Sequence, residues 1–172
     1  MKKHYLYLTF LFFALLGTAQ TVDELVSEFE RARKITLSYL DAMPPDKYGF
    51  RPKKEIRTFS EQILHASQGT FNLVANATGA ERKYGDQNLE KDPALQSKAE
   101  VTRLVNESFD FAISAIQEMD SEKMGELVKA GPFEVTRFGW LLKAFEHITH
   151  HRGQTAIYLR LAGVEPPRYQ LF

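Results

Sequence analysis

Apolar residues recur at helical spacing in four stretches of the chain, separated by segments rich in Gly, Pro and charge. Over residues 22–43, Val22, Leu25, Val26, Phe29, Ala32, Ile35, Leu37 and Leu40 follow a helical pattern before Pro44-Pro45 forbids continuation. Thr58-Phe59-Ser60-Glu61 then has the capping-box pattern, in which a Thr hydroxyl and a Glu carboxylate satisfy the free N–H groups that open a helix. The second helix is therefore expected from Phe59 to Thr78, with Gly79 as its stop. A third is expected over residues 97–119, where Val101, Leu104, Val105, Phe109, Ala112, Ile113 and Ile116 share a face. The fourth spans residues 137–162 and ends at Gly163, ahead of Pro166-Pro167.

Four amphipathic helices with no long strand define an all-α chain, a four-helix bundle. The connections over residues 46–57, 80–95 and 120–136 are long for a minimal up-down bundle, so they are expected to cover its ends. Within the last of them, Leu127-Val128 and Phe133-Glu134-Val135-Thr136 flank Ala130-Gly131-Pro132, a pattern that fits a small hairpin between helices three and four.

The first residues follow a different pattern. Met1-Lys2-Lys3-His4 is cationic, residues 5–17 are largely apolar, and Gly17-Thr18-Ala19 presents the small residues that a signal peptidase reads. A membrane-spanning helix needs roughly 20 apolar residues, more than this run provides. Residues 1–19 are thus expected to be a cleaved export signal, with a retained N-terminal anchor as the alternative, and residues 20–172 a single domain, periplasmic or secreted, with no stable membrane anchor after cleavage.

Composition narrows the chemistry. The chain has 172 residues, with 22 Lys+Arg against 22 Asp+Glu and no Cys. Removing residues 1–19 takes Lys2 and Lys3 and no acid, leaving 153 residues with 20 basic and 22 acidic groups, a net charge of −2. A nucleic-acid partner is not expected of such a chain, because phosphate binding usually brings a basic excess. Without Cys there are no disulfides, thiolate nucleophiles or zinc-finger thiolates, and no lipidated cysteine. Export is consistent with that absence, since a free thiol is a liability in an oxidising compartment. Phosphate-loop, nucleophile-elbow and H-E-x-x-H motifs are missing, and the residue after His147 is Ile148.

What stands out is histidine. There are five, and three lie within residues 147–151. His147 and His151 are four apart on the fourth helix, so their imidazoles share a face and can chelate one ion; a hydrogen-bonded pair on a half-buried face is the plainer reading. His65 lies inside the second helix, on a stripe continued by Gly69, Asn72 and Asn76, small or polar where a structural bundle would place Leu or Ile. Three neutral imidazoles on two helices suit a mid-series divalent ion and leave positions open to water or substrate. His150 is an alternative partner for His147 at three residues' spacing, or a neighbour of the site. Glu61, one turn before His65, could add an anionic ligand, although the capping box already accounts for it. Gln154 and Tyr158 continue the His147 and His151 stripe and either orient a bound molecule or sit as interior polar groups. Trp140 reads as core or pocket wall. No catalytic base is evident beyond Glu61 and His150.

His65 in the segment from Arg57 to His65, the block His147-Ile148-Thr149-His150-His151-Arg152-Gly153-Gln154, and the tail from Tyr158 to Pro167 together resemble the DinB/YfiT-like family. The resemblance covers nearly the whole chain after the signal. It implies a four-helix bundle with a divalent ion, commonly nickel or zinc, held by His65, His147 and His151. It also implies thiol-dependent chemistry, since relatives include thiol transferases that join low-molecular-weight thiols to electrophiles and a mycothiol-dependent isomerase. An exported chain departs from those cytosolic relatives, which points away from thiol transfer and leaves the metal site untouched. The expected function is a metal-dependent hydrolase or transferase acting on a small molecule, with a non-catalytic metal-binding or stress-related binding protein as the alternative and a homodimer as a candidate assembly.

Overall fold

In a computed structural model the backbone is described for residues 2–172 and the side chains for residues 22–172. The expected export signal and its cleavage site lie outside the residues whose side chains are described. Four helices follow one another: α1 (Lys2–Ala42), α2 (Phe59–Thr78), α3 (Lys98–Glu118) and α4 (Arg137–Leu161). A two-stranded antiparallel hairpin, β1 (Leu127–Ala130) and β2 (Phe133–Thr136), precedes α4. Among the described residues, no helix is long and apolar enough to cross a membrane.

Local chemistry sets these boundaries. α1 stops ahead of Pro44-Pro45, where the ring removes the N–H that the next turn would need. At the start of α2 the Thr58 hydroxyl accepts from the Glu61 N–H at 3.1 Å, while the Glu61 carboxylate accepts from the Thr58 N–H at 2.8 Å. The capping box is therefore closed at both bonds, and α2 ends on Gly79 at φ 82°, a left-handed cap that glycine adopts without a Cβ penalty. Ser97 and Thr136 cap α3 and α4 in the same way with their side-chain oxygens.

α2 is the central element, packed against both α3 and α4, with α1 closing the far side against α3 and α4. Phe29, Leu40, Phe59, Ile63, Leu64, Phe71, Leu104, Ile116 and Leu141 are fully buried between them. Each such side chain contributes about 1.5–3 kcal/mol by leaving water, before entropy is counted.

Two connections fold over the N-terminal half of α2. Residues 43–58 bring Tyr48 into the core, its hydroxyl donating to the Leu40 carbonyl at 2.9 Å, and Phe50 pairs with Phe59 through the backbone. The connection that includes residues 80–95, expected to cover an end of the bundle, buries Leu89, whose N–H donates to Gln68 Oε1 at 3.1 Å. The burial of one leucine turns that loop inward and carries the adjacent Glu90 toward α2. The hairpin is tied down by the Trp140 indole N–H, which donates to the Val128 carbonyl at 3.1 Å.

Candidate metal centre

His65 on α2 meets His147 and His151 on α4. One ring nitrogen from each lies within 4.8 Å of the others, and the ring centroids are 4.4 to 5.2 Å apart. The helical spacing of the α4 pair stacks their rings one turn apart, and the α2–α4 contact brings His65 to them. Glycine makes that approach feasible: a Cβ built on Gly69 would lie 2.2 Å from His147 Cε1 and 2.5 Å from its Nδ1.

The separation of His147 Nε2 and His151 Nε2 is 3.1 Å. Two nitrogens each bound at about 2.1 Å to one ion, at an angle between right and tetrahedral, are roughly 3.0–3.4 Å apart. The pair thus already stands at the spacing of two ligands of one ion. Burial and the neighbouring imidazoles push His147 down to about 4 and His151 to about 3. His65 is also lowered, by burial and then by Arg57, with Glu90 opposing. All three are consequently neutral near pH 7, the form that offers a lone pair to a metal.

The surrounding contacts orient the rings. His65 Nδ1 lies 2.8 Å from Glu90 Oε2. Arg57 Nη2 stands 3.2 Å from the same nitrogen. Glu90 accepts when Nδ1 carries the proton, which leaves the Nε2 lone pair free in the carboxylate–histidine arrangement of metal-ligating imidazoles, whereas Arg57 donates to an unprotonated Nδ1, so the two neighbours favour opposite tautomers. Arg57 Nε donates to the same Glu90 oxygen at 2.8 Å. His151 Nδ1 is 2.7 Å from the Gln62 amide, which also bonds Gln154, and Gln154 reaches His150 Nε2 at 3.0 Å. Rotating the Gln62 amide by half a turn exchanges its donor and acceptor, so this side chain can serve either His151 tautomer. His147 Nδ1 is buried without a partner. The donor set and its supports therefore fit a divalent ion.

Not every residue expected at the site joins it. Glu61 is occupied elsewhere, accepting from Thr58 N–H, from Arg51 at 3.0 Å and from Lys91 at 3.0 Å. The Tyr158 hydroxyl donates to the Arg57 carbonyl at 2.9 Å, which fixes the backbone beneath the Arg57–Glu90 pair. Asn72 lines a cleft of about 450 Å³ together with His65, Gln68 and Gly69. His150 faces a second cleft of about 470 Å³, with His147, Trp140, Leu73 and Phe133. Trp140 is accordingly both buried and a pocket wall. Glu90, Gln62 and Arg57 are additions that the histidine pattern does not announce. Gln62 had one available signal, being a polar residue three positions before His65 on the same helical face.

The fold and this constellation define a helical bundle with a three-histidine group able to hold a metal ion between its second and fourth helices. Residues 18–171 match the sequence profile of the DinB family, and the chain belongs to that family. It is 24% identical over 152 residues to YjoA of Bacillus subtilis (strain 168), spanning 86% of this chain and 96% of that protein. The crystal structure of the DinB-like YjoA superposes with a TM-score of 0.70 at 21% identity, over 86% of this chain and 98% of that one. A DinB-like protein from Bacillus cereus ATCC 10987 superposes with a TM-score of 0.73 at 15% identity, over 86% and 97% of the two chains. At these identities the structural likeness speaks for the fold alone.

Proposed function

We propose that this protein is an exported metal-dependent enzyme, a hydrolase or transferase whose divalent ion, Zn or Ni, is held by His65, His147 and His151. The observation that carries the reading is the convergence of three neutral imidazole nitrogens on two packed helices, without a carboxylate among them. Bound there, an ion with only three protein ligands would act as a Lewis acid at its open positions. The chain's own residues do the rest. Glu90 offers His65 Nδ1 an acceptor, Gln62 bonds His151 Nδ1 in either tautomer, and Gly69 leaves the His147 ring room to face its partners. Glu61 and Glu90 are both engaged by cations, which leaves His150, on the wall of the apolar cleft and bonded to the neutral Gln154 amide, as the side chain placed to move a proton.

Elemental analysis of protein purified without an affinity tag should find about one Zn or Ni per chain. His65→Ala and His147→Ala should each lose it. Wild-type protein that stays metal-free after incubation with both ions, with unchanged thermal stability, would rule the centre out. The engaged carboxylates favour a second reading, metal binding without turnover. A metal-loaded protein inert toward ester, amide and thiol-transfer substrates would support it. The Lys2-Lys3 start and the Gly17-Thr18-Ala19 site support the export part of this reading. Intact-mass measurement of protein from its native cells should show a chain beginning at Gln20, and a retained Met1 would count against cleavage.

A further inference from the structure

We propose that a cleft of about 690 Å³ beside the histidine group binds a small amphiphilic anion, a carboxylate carrying a medium-length aliphatic chain. Its size is that of an ordinary small-molecule pocket. Its floor includes Gln62, Gln154 and Glu90, the residues that touch His151, His150 and His65. A ligand seated there would therefore lie next to the candidate metal centre.

Charge identifies one end of the ligand. Arg51, Arg57 and Lys91 line the cleft and share two carboxylates. Arg51 and Lys91 both pair with Glu61 at 3.0 Å, while Arg57 holds Glu90 at 2.8 Å and Lys91 stands 3.8 Å from it. Three cations on two carboxylates leave one positive charge in excess. The cleft's other charged residues, Lys53 and Glu55, cancel and make no ion pair among the described residues. The Lys91 side chain remains 55% exposed and Arg51 37%, so both ammonium and guanidinium donors stay available to a ligand. Carboxylates are bound by such donors through charge-assisted hydrogen bonds.

Apolar exposure identifies the other end. Ile56, Ile157 and Leu161 line the same cleft at 40%, 58% and 59% exposure, three large aliphatic side chains left in water around one opening. Ile157 and Leu161 are one turn apart on α4 and form a continuous apolar strip. Scattered single hydrophobics need no explanation, but three at the mouth of a cationic cleft match a molecule with an anionic head and an aliphatic tail. The inference rests on the metal reading only for what lies beyond the head. Three neutral ligands leave the charge of a divalent ion uncancelled, which adds to the attraction for an anion.

The test is calorimetric titration of octanoate, acetate and octylammonium into the full chain without added metal, so that success or failure is independent of metal binding. Octanoate should bind one per chain, at least about tenfold more tightly than acetate because its tail buries methylenes, and octylammonium should not saturate. Lys91→Gln, on an exposed side chain, and Ile157→Ser, on the exposed strip, should each weaken octanoate by about fivefold. Far-UV circular dichroism would confirm that both variants fold. Equal binding of acetate and octanoate, saturable binding of octylammonium, or unchanged affinity in both variants would overturn the proposal. A vesicle arm separates the ligand's source: sedimentation with phosphatidylglycerol vesicles in the absence of octanoate binding would assign the patch to a membrane surface and overturn it as well. If octanoate binds but no metal does, the cleft stands and the metal centre falls; the reverse result leaves the metal centre standing.

Discussion

Gly69 and His147 face each other across the α2–α4 contact so closely that a Cβ on Gly69 would stand 2.2 Å from the imidazole Cε1. No real Cβ contact is that short, so Gly69→Ala must turn or push back the His147 ring. Alanine favours a helix interior over glycine by about 1 kcal/mol, so the variant should remain helical. Metal affinity should nonetheless fall by about tenfold or more, the scale seen when ligand orientation is disturbed. Competition with a chromophoric chelator measures the affinity, and an unchanged value would show that the ring position does not matter.

Gly153 provides the contrast. It also lies inside a helix, α4, yet a Cβ there would meet nothing within 4 Å. Gly153→Ala should therefore keep its propensity gain and stabilise the protein by about 0.5–1 kcal/mol. Urea unfolding reads this as a higher midpoint at constant slope, and metal affinity should not move. Loss of stability would mean that α4 is strained at this position.

Glu90 supports the centre without joining it. Its carboxylate stands 2.8 Å from His65 Nδ1 and accepts from Arg57 at 2.8 Å. Glu90→Gln keeps the shape and removes the charge, so His65 loses its anionic partner and the Nδ1–H tautomer is held less firmly. Metal affinity should drop by about 10- to 100-fold with the fold retained. Arg57→Gln should have a smaller effect, because losing its 3.2 Å contact with His65 Nδ1 leaves the Glu90 carboxylate in place to hold the Nδ1–H tautomer. Equal losses in the two variants would mean that Arg57 contacts the bound ligand itself.

The helices and the three histidines were legible because their signals are local. Thr58, Glu61 and Gly79 mark both ends of α2 within a few residues, and His147 and His151 declare a shared face by spacing alone. The Gly69 gap was visible as a small residue on the His65 stripe, although its purpose needed the partner helix. Glu90 was not legible. It lies in a polar loop, and only the burial of Leu89 and the Gln68–Leu89 bond turn it toward α2. Arg152 shows the same limit, since nothing in its neighbourhood in the sequence announces a guanidinium buried against the Ala32 carbonyl of α1. Such contacts depend on long-range packing, which periodicity does not carry.

Glu61 makes the acid stability of the fold testable. Burial raises its pKa, but the Thr58 N–H bond, Lys91 and Arg51 together outweigh that and hold it below its ordinary value of 4.5. A carboxyl group whose folded pKa is depressed contributes stability that is fully present above its unfolded pKa and is lost as pH falls through the folded one. Glu61→Gln isolates this contribution, because glutamine can still occupy the third position of a capping box and accept from Thr58 N–H. In urea unfolding, wild type should exceed the variant in stability above about pH 5, where Glu61 is charged in both states. The difference should shrink as pH falls below 4.5 and the unfolded chain takes up its proton, and vanish once the folded carboxyl group is protonated as well. A difference that stayed constant from neutral to acid pH would show that the Glu61 carboxyl group titrates alike in the folded and unfolded chain, so that its charge adds no net stability.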